Sequence, residues 1–407
     1  MKKLLVLYEG WGEKWQLGSL ADNGREILFE YSQEALVQGL ELSPRHLRLR
    51  NEAYGGFPPY LFRLPGLLAD ALPDGWGLLL MDKQFRRAGR PPASISVLDR
   101  LALIGNRAMG ALAFEPIADG EIQPEDLSLL TLAKDIQHIV AGEESDALKQ
   151  LVWLGGSPHG VRPKVLVNYD IWTGAMSSDP AGSGSPWMIK FPSQDEHKEV
   201  CAIEALYAKM AADCGINMPQ TKYFDLSPSL AAFGIARFDR KEGIRIPIHT
   251  LAGFLHSDFR IPSVDCTTFI RATRFLTKDE REVRAAYLRC VFNVIMHNRD
   301  DHAKNVSFCL SQDKQWKLSP GYDLTFSSGP GGEHQMDICG EGRAPSIVHL
   351  IKLAKEAEVN LSYANNVISS VSTVAERFMD EAKIFAIRNV TVKLINALIV
   401  DNLARMR

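Results

Sequence analysis

One lysine constrains this chain more than any other residue. Lys190 stands in the run Trp187-Met188-Ile189-Lys190-Phe191-Pro192, an apolar strand pattern in which a charge has to be satisfied. Glu204, on a helical segment that begins near Lys198, is the natural partner. The alternative is an edge-strand lysine that snorkels to water beside a solvated Glu204. The neighbouring segments repeat the strand signal. Residues 162–169 and 186–191 read as strands joined by the Gly/Ser-rich connection 173–185. A helix over 198–214 places Val200, Ile203, Leu206, Tyr207 and Met210 on one face, with Gly215 where a C-terminal cap belongs. Strands near 221–226 and 230–238 follow. From Asp279 onward the pattern is mainly helical, apart from a hairpin near 306–318. A small β-rich lobe ahead of an α-rich lobe can clamp a nucleotide between them.

Ahead of this core, 3–8, 16–21 and 25–29 read as strands, the last two joined by a turn at Asp22-Asn23-Gly24. A helical segment is expected over 61–77, another over 94–103, a strand within 105–116 and a helix near 127–142. A subdomain boundary is expected near 120–150. With 407 residues, 46% of them hydrophobic, the chain can bury a large core. Its formal net charge of −3 lacks the basic surplus on which duplex binding draws, so direct DNA binding is not expected. Cys201, Cys214, Cys266, Cys290, Cys309 and Cys339 lack the close spacing of a zinc ligand set and read as reduced core thiols of a cytoplasmic protein. The apolar run 4–8 is too short for a signal-peptide core. No stretch approaches the length of a membrane span.

The strongest chemical signal is His297-Asn298-Arg299-Asp300-Asp301-His302-Ala303-Lys304-Asn305. Phosphoryl transfer to a hydroxyl needs a carboxylate near the attacking oxygen and oxygen ligands for magnesium. Protein kinases supply these with an Asp followed, after four residues, by an Asn. Asp300 and Asn305 have that spacing. The preceding helix, 281–297, carries Val283, Tyr287, Cys290, Val291, Val294 and Ile295 along one stripe, so it buries itself and fixes the loop at its end. An isolated Asp–Asn pair is also common in polar helix-terminating loops. The segment Ser319-Pro320-Gly321-Tyr322-Asp323 adds a second carboxylate after a hairpin, which suits a metal-binding Asp. Upstream, Gly155-Gly156-Ser157-Pro158-His159-Gly160-Val161-Arg162-Pro163-Lys164 is a glycine-containing loop opening a strand. Such a loop lets backbone N–H groups approach phosphate, although a plain surface turn has the same composition.

Taken in order, the glycine loop, Lys190, Glu204, Arg237-Phe238-Asp239-Arg240, the 298–305 segment and Tyr322-Asp323 resemble the HipA kinases of bacterial toxin–antitoxin systems. The stretch 64–77, with Leu-Pro-Asp-Gly-Trp-Gly at its end, resembles that family's N-terminal subdomain. The resemblance implies an α+β, protein-kinase-like bilobal fold: an N-terminal subdomain over 1–120, the remainder of the N-lobe over 121–240, and a helical C-lobe over 241–407. It implies Asp300 as catalytic base, with Asn305 and Asp323 as ligands of Mg2+. ATP would be held by Gly160, Val161, Arg162, Lys164, Lys190, Glu204 and His302, with Ala236 and Phe238 at the adenine. It implies autophosphorylation of Ser157, where a doubly charged group beside the γ-phosphate site would repel it. It further implies a protein substrate, such as an aminoacyl-tRNA synthetase or another translation component, and a small HipB-like helix-turn-helix antitoxin that makes the DNA contact.

Two other classes use some of the same residues. A metal-dependent hydrolase could draw on His297, Asp300, Asp301, His302 and Asp323, but it leaves the Lys190–Glu204 pair without a purpose. A catalytically silent kinase-fold module could bind only a DNA-bound partner.

Overall fold

The computed structural model describes residues 2–118, 125–143, 145–155, 158–179 and 182–407. Strands β1 (Lys3–Tyr8), β2 (Trp15–Asp22), β3 (Ile27–Tyr31), β4 (Ala53–Tyr54) and β5 (Leu112–Glu115) form an antiparallel sheet in the order β4-β3-β2-β1-β5. The β2–β3 turn takes more of the chain than its sequence suggests. The Asn23 side chain accepts from the N–H groups of both Arg25 and Glu26, so pairing resumes only at Ile27.

The segment 61–77 is not one helix. It divides into a 3-10 turn at Pro59–Leu61, a four-residue helix at Gly66–Ala69 and a long helix at Gly75–Arg87. Phe62 and Arg63 are both left-handed, and Pro65 and Pro73 have no N–H to continue a helical ladder. Further on, Val97–Ile104 and Leu129–Val140 are helical near their expected places, and a helix at Leu148–Gly155 had no clear sequence signal.

A second antiparallel sheet contains β6 (Lys164–Tyr169), β7 (Met176–Ser177), β8 (Ser185–Lys190), β9 (Thr221–Asp225) and β10 (Ala231–Ala236), in the order β7-β6-β8-β10-β9. Lys190 is therefore on the central strand, not on an edge. It pairs in register with Lys164 on one side and Phe233 on the other. The Glu199–Asp213 helix joins β8 to β9. Its expected single apolar face is instead burial on nearly every side, because Ala202, Ala205, Ala208 and Ala211 let neighbours approach where larger side chains would not fit. Tyr207 donates its hydroxyl to the Met296 carbonyl at 2.8 Å and ties this helix to the C-lobe.

After a two-residue ribbon, β11 (Arg240–Lys241) with β12 (Ile244–Arg245), the chain enters the helical lobe. Its central helix, Glu280–Ile295, is capped by Asp279 and buried along most of its length. The expected hairpin is β14 (Ser307–Leu310) with β15 (Trp316–Leu318), to which β13 (Ile248–Thr250) adds a third strand. Among the described residues no helix is long and apolar enough to cross a membrane. The six cysteines are unpaired, four of them buried.

A buried carboxylate is a main tie between the N-terminal sheet domain and the C-lobe. Asp70 accepts from His249 Nδ1 at 2.7 Å, the Thr250 N–H at 2.8 Å and the Thr250 hydroxyl at 2.7 Å. His249 Nε2 in turn meets the Ser43 hydroxyl at 3.0 Å. Gly66 lies against Gly253 so closely that a Cβ at residue 66 would sit 1.9 Å from the Gly253 carbonyl oxygen. Asp70→Ala would strand the buried His249 and Thr250 donors. It is expected to lower the urea unfolding midpoint of N-terminal and C-lobe probes together, at a cost of about 3 kcal/mol.

Candidate active site

The two lobes enclose a cleft of about 630 Å³. Met188, Ile235, Ala236 and Phe238 line its apolar end; Gly160, Val161, Arg162, Lys164 and Lys190 line one side; Asp300, His302, Asn305 and Asp323 line the other. Glu204 stands behind Lys190. All these candidates thus come to one place. Ser157, the expected modification site, and Gly156 lie outside the described residues.

Lys190 Nζ is 2.6 Å from Glu204 Oε1 and also contacts the Asp323 carboxylate. Lys190 and Glu204 are only 5% and 3% exposed, whereas about a third of the Asp323 side chain faces the cleft, at 34% exposure. Burial works against the Lys190 charge, but Asp323 and Glu204 outweigh it and hold the ammonium protonated above the usual lysine range. Asp323 shows the reverse balance. Burial would raise its pKa, yet the ammoniums of Lys190 and Lys164 hold it well below the usual carboxylate range. Its backbone is left-handed, at φ +52°. Lys164 has less support: burial brings its pKa down to about 8. Its ammonium donates to the His159 carbonyl, and Gly160 permits that approach, since a Cβ there would lie 2.3 Å from Lys164 Nζ. Arg162 makes a forked pair with Glu196, with one contact at 2.6 Å, and reaches toward Glu204 at 3.8 Å.

The 298–305 segment is sorted residue by residue into anchors and cleft-facing groups. Asn298 donates to Asn293 at 2.9 Å, and the Arg299 guanidinium donates to the Gly332 and Arg343 carbonyls. Asp301 is buried, accepting from His334 Nδ1 at 2.9 Å and the Gln335 N–H at 2.8 Å. His297 stacks on Phe326 and contacts Asn402. Asp300, His302 and Asn305 face the cleft. Burial, then the Asp323 charge, raises the Asp300 pKa against the opposing pull of His302. The Asn305 amide nitrogen is spent on the Asp300 carbonyl at 2.8 Å, which leaves its oxygen as the group free for a ligand.

Two residues of this constellation lay in segments the sequence singled out, but nothing in the sequence paired them. Lys304 donates to Asp74 of the N-terminal domain at 2.8 Å, and the Lys304 carbonyl accepts from the Tyr322 hydroxyl at 2.8 Å. The hydrolase reading fares poorly, because His297 and Asp301 do not line the cleft and are committed to structural partners, Phe326 and Asn402 for the one and His334 for the other. Among the described residues no group of three His, Cys, Asp or Glu side chains is placed to hold a metal ion by itself.

A strand-rich lobe and a helical lobe meeting at this cleft make the chain an α+β protein with a protein-kinase-like bilobal fold. Residues 156–379 match the family model described as the HipA-like C-terminal domain, and residues 9–115 match the HipA N-terminal domain. The chain belongs to the HipA family. It is similar in structure to Shewanella oneidensis HipA, solved with HipB and its operator DNA, at a TM-score of 0.73 and 17% identity over 98% of this chain and 96% of that one. It is 26% identical over 282 residues to Sinorhizobium fredii Y4dM, a protein provisionally named a kinase. That match takes in 66% of this chain and 63% of the relative, so it spans under two thirds of the relative's length.

Lys190→Met would leave the buried Glu204 carboxylate without its closest cation. The expected cost is about 3 kcal/mol by urea unfolding, most of it recovered in the Lys190→Met/Glu204→Gln double variant.

Proposed function

We propose that this chain is an ATP- and Mg2+-dependent serine/threonine protein kinase, the toxin of a toxin–antitoxin pair, acting in the cytoplasm on a cellular protein. The observation that carries the proposal is the convergence of Asp300, Asn305 and Asp323 opposite the Lys190–Glu204 pair in one cleft. The donor set fits the cofactor. The Asn305 oxygen and the Asp323 carboxylate are two hard ligands, and magnesium usually takes one or two protein carboxylates or amides with phosphate and water completing its shell. When bound, Mg-ATP supplies the transferred phosphoryl group and the cation that offsets its charge. Lys190, held charged by two carboxylates, orients the phosphates, and Lys164 adds a second cation from the glycine loop. Asp323 is already ionised and so ready as a ligand. Asp300 takes the proton of the acceptor hydroxyl, and its raised pKa makes it the stronger base. Ser157 is proposed as the site of self-modification. The likeness to a HipA solved with HipB and operator DNA supports a small DNA-binding antitoxin as partner, consistent with a net charge of −3.

Phosphatase-treated wild type, incubated with Mg-ATP, is expected to gain one phosphate by intact mass, mapped to Ser157. Asp300→Asn should be slowed at least about 100-fold. Undiminished labelling in Asp300→Asn would remove that residue as the base, and failure of the wild type to bind nucleotide would leave the silent module. The pH dependence has a defined sign. Lys164 is cationic below about pH 8 and neutral above it, so Mg-ATP affinity should fall between pH 7 and 9. In Lys164→Met the affinity should be weaker and flat over that range, as read by titration of a fluorescent nucleotide.

A further inference from the structure

Several N-terminal segments line the cleft, around Tyr60–Phe62, Ala69–Asp70 and Met109, and the turn at Asp74–Gly75 is the one that contacts both facing loops. Asp74 precedes the Gly75–Arg87 helix; its carboxylate accepts from Lys304 Nζ at 2.8 Å and lies near enough to the Gly160 N–H for that group to help hold its pKa down. The next two residues continue the contact with the glycine loop. A Cβ on Gly75 would lie 2.9 Å from the Val161 side chain, so only glycine admits the loop this close. Trp76 donates its backbone N–H to the Gly160 carbonyl at 3.4 Å and its indole N–H to the Lys164 carbonyl at 3.0 Å. On the opposite side, Lys304 immediately precedes Asn305, and its carbonyl accepts from Tyr322, the neighbour of Asp323. The Asp74 and Lys304 side chains are 15% and 9% exposed, so the pair is poorly screened by solvent. His159, half-buried beside them, is held below the usual imidazole range by desolvation, with its pKa down to about 4.

We propose that Asp74 is a positioning residue that couples the glycine loop to the catalytic loop, so that the N-terminal domain sets the distance between the phosphate-binding and metal-binding sides of the cleft. One carboxylate joins two loops about 140 positions apart (160 and 304), neither of which belongs to its own domain. Movement of either loop without the other would break a buried contact. The kinetic consequence rests on the kinase reading; the coupling of the loops does not.

The test is Asp74→Asn, which keeps the side-chain size and removes the charge, compared with wild type by backbone hydrogen exchange of the full chain without nucleotide. The expected result is about tenfold faster exchange in both 158–164 and 298–305, with β1–β5 unchanged and the melting transition preserved. The same variant is expected to lose at least about tenfold in kcat/KM for Mg-ATP, with kcat falling as well as KM rising. A merely structural role would leave kcat per folded molecule unchanged. If Asp74→Asn melts early, Lys304→Met removes the pair from the other side and should give the same two-loop pattern. Faster exchange in only one loop, in neither, or across 2–118 instead would overturn the proposal. A wild type that transfers no phosphate would sink the kinase reading, and the exchange comparison would still decide the coupling.

Discussion

A buried ammonium organises the active cleft. Taking the Lys190 charge out of water costs several kcal/mol unless anionic partners surround it. Those partners come from two separate places: Glu204 from the helix behind the sheet, and Asp323 from the turn after the C-lobe hairpin. The charge on β8 can therefore be satisfied only when the strand, the helix and the far lobe are assembled. That assembly is the cleft. Lys164, one strand over in register, has among the described residues no carboxylate at hydrogen-bonding distance, and burial depresses its pKa accordingly.

The catalytic segment shows how a run of polar residues serves two purposes. Asn298, Arg299 and Asp301 direct their hydrogen bonds to the C-lobe and fix the loop there. Asp300 and His302 are thereby presented to the cleft, and Asn305 ties the loop to itself through the Asp300 carbonyl while keeping its oxygen toward the cleft. The same economy recurs at the domain junction. Asp70 locks the N-terminal domain to β13, and four residues later Asp74 meets Lys304.

Much of this was legible beforehand because it rests on local pattern. The strand–strand–helix–strand–strand order follows from alternation and periodicity, and the Asp300/Asn305/Asp323 set from spacing and from resemblance to a kinase family. The errors have equally specific causes. The 61–77 segment looked helical from its leucines, but Phe62 and Arg63 adopt left-handed backbone that no apolar pattern signals. The Glu199–Asp213 helix seemed one-faced because its alanines, neutral in an amphipathic count, were the residues admitting the second contact surface. Strand β13, three residues long, falls below any periodicity.

By itself, the sequence determined which groups had to be paired and which segments carried the chemistry, because buried charge and hydrophobic period are properties of a few adjacent residues. It named Glu204 as the partner of Lys190 and left open whether the lysine sat on an edge strand. Only the tertiary structure decided that β8 is central, that Asp323 shares the same ammonium, and that Asp301 is an anchor while Asp300 is free. It alone joined Asp74 to Lys304 across 230 positions. The physical reason is common to all of these. An aspartate has the same chemistry wherever it stands, and its role is set by the donors that the fold brings to it from distant parts of the chain.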